Sequence, residues 1–275
     1  MISAETERAE FHNLQLLKLG GSLITDKARA RAARPQVMRR LADEIVAALK
    51  GDDAPQVILG HGAGSFAHLP AKRYGTRQGV RTAEEWRGFH EVWQEARALN
   101  VIVMEFLLGA GLEAMVFPPS AAVISENGQV SGWDLTPMTR ALQAGLAPVV
   151  HGDVIFDSQV GGTILSTEDL FSYLAKQLRP KRILLAGLEP GVWADYPERT
   201  RIIPEITPEN IDAVMPAVKG SEGVDVTGGM ASKVRQSLEL TLEVPGLEVI
   251  IFSGDEIGTV RQALDGEKVG TFIHG

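Results

Sequence analysis

Two glycine-rich turns, each placed directly after an apolar run of strand length, constrain this chain more than any other feature. Leu14–Leu19 runs into Gly20-Gly21-Ser22, and Val57-Ile58-Leu59 runs into Gly60-His61-Gly62-Ala63-Gly64-Ser65-Phe66-Ala67-His68. Glycine, without a Cβ, lets main-chain N–H groups approach an anion closely, and a helix that starts just past the turn adds the positive end of its dipole. Two such cradles in one chain point to two phosphate groups held face to face, which is the geometry of phosphoryl transfer. Neither turn has the spacing GxxxxGK[ST] or GxGxxG, so the P-loop and dinucleotide readings both lack their defining pattern.

Apolar runs of strand length alternate with helical periodicity, the pattern of an α/β protein with a mainly parallel sheet sandwiched between helices. The strands expected are Leu14 to Leu19, Gln56 to Leu59, Ala114 to Pro118, Pro148 to Phe156, Arg182 to Ala186 and Leu247 to Phe252. Pro35 suits a first helical turn, and Val37, Leu41, Ile45 and Leu49 recur every four residues towards Lys50-Gly51, a helix stop. Thr82 to Ala110 reads as one long amphipathic helix with Trp86, Phe89, Trp93, Ala96, Val103 and Leu107 near a single stripe. No repeat, low-complexity tract or long linker divides the chain. We therefore expect a single domain over residues 1–275, with a soft boundary between two lobes near Gly161-Gly162. Tyr196 to Gly223, rich in proline and acidic residues, reads as surface structure overhanging or decorating a site.

The 275 residues, 44% of them hydrophobic, can bury a large core. With no cysteine, disulfides and thiolate chemistry are excluded. The polar, acidic start Met1-Ile2-Ser3-Ala4-Glu5 lacks the layout of a secretion signal, so the cytoplasm is expected. The longest apolar stretch, Val101 to Phe117, is interrupted by Glu105 and Glu113, which argues against a membrane span. A net charge of −8 disfavours nucleic acid as a partner. An anionic substrate must then meet a local basic pocket inside an acidic protein.

Four motifs in order, Lys18-Leu19-Gly20-Gly21-Ser22 with Thr25 and Lys27, the Gly60 to His68 turn, His151-Gly152-Asp153-Val154, and Thr227-Gly228-Gly229-Met230-Ala231-Ser232-Lys233, resemble the amino acid kinase superfamily. Within it they are most similar to the isopentenyl phosphate kinases. Together the motifs cover roughly residues 14 to 236, and the resemblance implies an acceptor-binding N-terminal lobe (about 1–160) and a nucleotide-binding C-terminal lobe (about 161–275).

On the residues alone, Lys18 ends the first strand and can extend its ammonium across the mouth of the turn towards β- and γ-phosphates. The resemblance implies that Lys233 contacts the nucleotide phosphates from the opposite side. Two ammonium groups flanking a metaphosphate-like group supply most of what a protein contributes to this reaction. Lys27, beside Asp26 and Arg29, is either a third member or a solvated loop lysine. The resemblance further implies an ATP-side set of Gly20, Gly21, Ser22, Ala63, Gly187, Leu188, Gly191 and Gly229, and an acceptor-side set of Gly62, Ala63, His68, Gly152 and Asp153. His68 separates the branches: kinases of phosphates and phosphonates carry a histidine there and kinases of carboxylates do not. A phosphate monoester, with a second pKa of about 6, is mostly dianionic at neutral pH and attacks without a general base. It needs only a donor that holds it, and imidazole serves. His61 and His151 read more readily as structural residues.

The resemblance implies an aspartate near Glu168 that orients the two lysines, so the glutamate is a departure; Asp169 can share or take that task, and Asp153 is the other candidate organiser. Gly187-Leu188-Glu189-Pro190-Gly191-Val192-Trp193 departs from the relatives' Thr-Asp-Val-Asp-Gly-Val-Tyr, which leaves nucleotide preference open. ATP and Mg²⁺ are implied, but no cluster of three carboxylates marks a protein-ligated metal, so the ion is expected to be held by nucleotide and water. Trp86, Phe89, Trp93 and Ala96, with Met104, are candidates to line a dry slot for a short branched hydrocarbon, with plain core as the competing reading. The activity implied is transfer of the ATP γ-phosphoryl to isopentenyl phosphate by a homodimer. The alternatives are a kinase of the same fold acting on a phosphonate, carboxylate or nucleoside monophosphate, and a non-catalytic small-molecule sensor.

Overall fold

The computed structural model describes residues 11, 13–51, 53–219 and 229–275. Thr227 and Gly228 of the fourth motif, and the end of the Tyr196 to Gly223 region, lie outside them. In chain order the first half contains β1 (Leu14–Leu19), α1 (Gly21–Ile24), α2 (Pro35–Ala48), β2 (Gln56–His61), α3 (Gly64–Tyr74), α4 (Ala83–Gly109), β3 (Ala114–Val116), β4 (Val123–Glu126), β5 (Gln129–Trp133), α5 (Thr136–Gln143) and β6 (Ala147–His151). The second half contains β7 (Asp153–Asp157), β8 (Gly161–Leu165), α6 (Thr167–Leu178), β9 (Arg182–Gly187), β10 (Val192–Trp193), β11 (Ile202–Ile203), β12 (Glu205–Ile206), α7 (Ile211–Lys219), α8 (Gly229–Glu243), β13 (Glu248–Ser253), α9 (Thr259–Asp265) and β14 (Thr271–Ile273).

One eight-stranded sheet, ordered β12-β14-β13-β9-β1-β2-β6-β3, forms the centre. The run from β13 to β3 is parallel throughout, and β14 joins it antiparallel. Helices cover both faces. Because side chains alternate along a strand, Leu17 and Leu19 of β1 pack with α2, α4 and α9 through Leu41, Ile45, Leu99, Val103, Val260 and Leu264. Leu14 and Leu16 pack on the other side with α5, α6 and α8 through Leu142, Leu170, Leu174, Val234 and Leu238. Lys18 shares the parity of Leu14 and Leu16, so it emerges on the α6 and α8 side.

The chain runs from β1 outward to β2 and β6, then returns to β9 and β13 on the opposite flank. This reversal between β1 and β9 opens a crevice at the carboxyl ends of the strands, where ligands of open α/β sheets bind. The apolar stretch expected as one strand from Pro148 to Phe156 is two. Gly152 breaks it, sending β6 into the main sheet and β7 into a second, four-stranded sheet ordered β5-β4-β7-β8. Gly161 and Gly162, expected at a lobe boundary, open β8, which pairs along β7 from Asp157↔Gly161 to Asp153↔Leu165. The helix expected from Thr82 is α4, started by a capping box in which Thr82 accepts from the Glu85 N–H and the Glu85 side chain accepts from the Thr82 N–H. Among the described residues no helix is long and apolar enough to cross a membrane.

Candidate active site

The crevice contains a cavity of about 590 Å³. Its floor is made by residues that directly follow strands: Gly20-Gly21-Ser22 after β1, Gly62-Ala63-Gly64 after β2, Gly152 after β6 and Leu188 after β9. The two glycine turns press backbone on backbone. A Cβ built on Gly21 would lie 2.5 Å from Gly64 N, and one on Gly62 would lie 2.9 Å from Gly21 N. Gly64 has φ +52, a left-handed conformation that side chains resist. Thr25 ties the turns together, its Oγ1 donating to Gly21 O at 2.6 Å and accepting from the Ser65 N–H at 2.9 Å.

Three helices begin at the cavity. Gly64 starts α3, Thr167 starts α6 and Gly229 starts α8, and all three residues line it. Their positive dipole ends favour anions there. The N-terminus of α6 is anchored by Ser166, whose side chain accepts from the Asp169 N–H, and by Thr167, whose Oγ1 donates to His61 O at 2.7 Å. Gly60 makes room for this helix, since a Cβ there would lie 2.7 Å from Phe171 Cζ.

The helix carries Glu168 to Lys18, with Nζ and Oε1 2.9 Å apart and the Lys18 side chain only 12% exposed. Burial alone would raise the Glu168 pKa, yet the adjacent Lys18 and Lys233 charges outweigh it and hold the carboxyl down at about 2. Lys233, on the first turn of α8, also lines the cavity. Asp169 takes a different post: its Oδ2 accepts from Ser166 N and Oγ at 2.7 and 2.8 Å and pairs with Arg77 at 3.2 Å. Asp153, buried, accepts from the Ser120 and Val154 N–H groups, and burial raises its pKa against the pull of His151.

Of the residues singled out in the sequence, Lys18, Gly20, Gly21, Ser22, Lys27, Gly62, Ala63, His68, Gly152, Asp153, Glu168, Gly187, Leu188, Gly229 and Lys233 all line this one cavity. Lys27 and His68 lie on it together with Lys72 and Arg77. Gly191 is not on its wall but packs against β14, where a Cβ would meet Thr271 Oγ1 at 2.7 Å. Trp86, Phe89 and Trp93 are likewise absent from the wall, as is Met104, which packs against the main-sheet core. The residues of α4 that face the cavity are Val92 and Ala96, joined by Ala67, Ala71 and Ile164. Phe89 and Trp86 pack on each other, 5.0 Å between ring centroids, and on Phe156 of β7, while Trp93 stacks on His90 at 5.7 Å. This part of the cavity is thus walled by small and branched side chains, and the aromatics stand behind or beside it. Glu189 on the rim accepts from Trp193 Nε1 at 2.6 Å and pairs with Arg199. Among the described residues no three His, Asp or Glu side chains are grouped to hold a metal ion.

A nucleotide-sized cleft with facing backbone cradles, two lysines and a carboxylate between them defines a phosphotransferase of the α/β type. The amino acid kinase family model matches residues 13–253. The chain is 31% identical to the isopentenyl phosphate kinase of Methanothermobacter thermautotrophicus (94% of this chain, 98% of that one) and 34% identical to that of Haloferax volcanii (96% and 99%). A crystal structure of an isopentenyl phosphate kinase superposes with a TM-score of 0.80 at 29% identity, covering 95% of this chain and all of that one. The chain therefore belongs to the amino acid kinase family, on its isopentenyl phosphate kinase branch.

Proposed function

We propose that the protein transfers the γ-phosphoryl group of ATP to isopentenyl phosphate, giving isopentenyl diphosphate and ADP. The observation that carries this reading is one cavity in which the Lys18–Glu168 pair and Lys233 lie beside both glycine turns and His68. The nucleotide phosphates lie on Gly20, Gly21 and Ser22 and at the N-terminus of α8. The acceptor phosphate lies on Gly62 and Ala63, with His68 donating to it. One acceptor oxygen forms the new P–O bond as the bond from γ-phosphorus to the bridging oxygen breaks, and the electron pair leaves with ADP. Lys18 and Lys233 offset the charge spread over the transferred group. Glu168 keeps the two ammonium groups apart and aimed.

Mg²⁺ fits this site as a passenger of the nucleotide, since Glu168 is engaged by Lys18 and Asp153 by two N–H groups; it would neutralise β- and γ-phosphate charge. The hydrocarbon end enters the wall of Ala67, Ala71, Val92, Ala96 and Ile164. A homodimer formed through the β3 edge accords with the exposure of Met115 on that edge strand and of Val101 and Leu108 on the adjoining α4. We assign the reaction to the cytoplasm. An ADP-release assay over isopentenyl phosphate, dimethylallyl phosphate, fosfomycin, acetylglutamate and UMP tests the acceptor. Turnover confined to the prenyl phosphates is expected, and a preference for any other member of the panel refutes the reading.

A further inference from the structure

The histidines that end β2 and β6 take no part in the transfer described above. They are register partners, His61 beside His151 with ring centroids 5.4 Å apart. Both share the parity of Leu59 and Val149, so both lie on the α4 face of the sheet. Each precedes a glycine and turns Nδ1 to that glycine's carbonyl, at 3.1 Å for Gly62 O and 3.2 Å for Gly152 O. His61 has a further partner, Asn100 of α4, whose Nδ2 is 3.1 Å from Nε2. Asn100 is 6% exposed and sits between Leu99 and Val103, a place where burial of an amide is costly unless it is hydrogen-bonded.

The direction of these bonds follows from the donors. The Asn100 amide nitrogen can only donate, so Nε2 accepts and the neutral ring carries its proton on Nδ1, which donates to Gly62 O. Burial and the neighbouring His151 hold the His61 pKa at about 3, so the ring stays neutral in the working range. A trans peptide is planar, with C=O and N–H pointing in opposite directions. Holding Gly62 O against His61 therefore turns the Ala63 N–H away from that histidine, and both Gly62 and Ala63 line the cavity. With glycines at 62 and 64 the backbone has little stiffness of its own, and this lock supplies it.

We propose that Asn100 is a positioning residue that, through the His61 imidazole, fixes the Gly62–Ala63 peptide so that the Ala63 N–H faces the acceptor phosphate. This rests on the reading in which the second turn holds that phosphate.

Asn100→Leu removes the donor at similar volume. Asn100→Asp, read at a pH above the imidazole pKa of the variant, reverses it, because a carboxylate takes the proton of the neutral ring on Nε2 and leaves two acceptors, Nδ1 and Gly62 O, facing each other. The His61 tautomer is read from long-range ¹H–¹⁵N spectra of the full-length protein, together with KM for each substrate and Tm. We expect Nδ1–H in the wild type and Nε2–H in Asn100→Asp. The acceptor KM should rise about tenfold, the loss of roughly one charge-assisted hydrogen bond, while the ATP KM moves less than about twofold. An unchanged acceptor KM in the folded variants, or equal rises in both KM values, overturns the proposal. An Nε2–H tautomer in the wild type also overturns it, and that result needs no variant to fold. Should the wild type fail to turn over isopentenyl phosphate, the acceptor reading falls by itself. The lock is then judged on the Kd for inorganic phosphate, where about tenfold weakening in Asn100→Asp supports it and no change refutes it.

Discussion

Lys18 and Glu168 meet at 2.9 Å because strand parity sends the lysine to the α6 side of the sheet and a capping box starts α6 two residues before the glutamate. The pair couples β1 to α6 at the wall of the cavity. Glu168→Gln keeps the shape and removes the charge that holds Lys18, so kcat should fall about 10- to 100-fold with a smaller change in ATP KM. Glu168→Asp should recover part of the loss. Full activity in Glu168→Gln, measured by ADP release, would show that Lys18 needs no aim from this residue.

The same carboxylate leaves a signature in acid. Its pKa is depressed from 4.5 to about 2 in the folded protein, so the unfolded chain takes up the proton first as pH falls. Glu168 therefore contributes stability that is fully present above about pH 4.5 and is lost progressively down to about pH 2. Urea unfolding across this range should give a gap between wild type and Glu168→Gln that is widest near neutral pH and closes towards pH 2. A gap independent of pH would mean that the glutamate is not held ionised by the lysines.

Lys18→Met and Lys233→Met should each depress kcat far more than they weaken ATP binding, because their charge acts most strongly on the phosphoryl group in flight. The double variant should lose less than the product of the single losses if both act on one group. Single-turnover rates with measured ATP Kd separate the effects. Losses of equal size in Kd and in rate would assign the lysines to ground-state binding.

His68→Ala should cost about 2 to 4 kcal/mol of transition-state stabilisation, a fall of roughly 30- to 1000-fold in kcat/KM, if the imidazole holds the acceptor phosphate. His68 is only half-buried, so Tm should barely move. Near-normal turnover of isopentenyl phosphate by this variant would remove His68 from the acceptor site.

Much of this architecture is legible in the sequence because its signals are local. Leu14 to Leu19 and Arg182 to Ala186 announce buried parallel strands, and the glycines after β1 and β2 mark where backbone must touch backbone. The Pro148 to Phe156 run misleads because both of its halves are apolar and only Gly152 betrays the change of sheet. The second sheet is hard to read at all, since β4, β5, β7 and β8 have four or five residues each. Asn100 and Thr167 escape notice for another reason. Each is one polar residue in an ordinary helix, and its work becomes visible only when β2 is placed beside it. The aromatic stripe on α4 is a case of one helix with two apolar duties, towards the main sheet through Leu99 and Val103 and towards β7 through Phe89. Hydrophobic periodicity cannot separate those duties.

Under the proposed function, that division decides where acceptor length is set. Ile164 of β8 lines the cavity and packs against the cluster of Phe89, Val92 and Ala96, so Ile164→Ala should deepen the slot by two to three methylenes' worth of space. Each buried CH₂ is worth about 0.8 kcal/mol, so geranyl phosphate should gain roughly tenfold or more in kcat/KM relative to isopentenyl phosphate, less the cost of ordering its chain. Phe89→Ala, in contrast, empties core, and should cost about 3 to 5 kcal/mol of stability while leaving the ratio between the two acceptors where it was. Melting temperature and the geranyl-to-isopentenyl ratio in both variants distinguish the walls. A ratio raised by Phe89→Ala and untouched by Ile164→Ala would mean that the hydrocarbon runs between α4 and β7, behind the wall that Val92 and Ala96 present to the cavity.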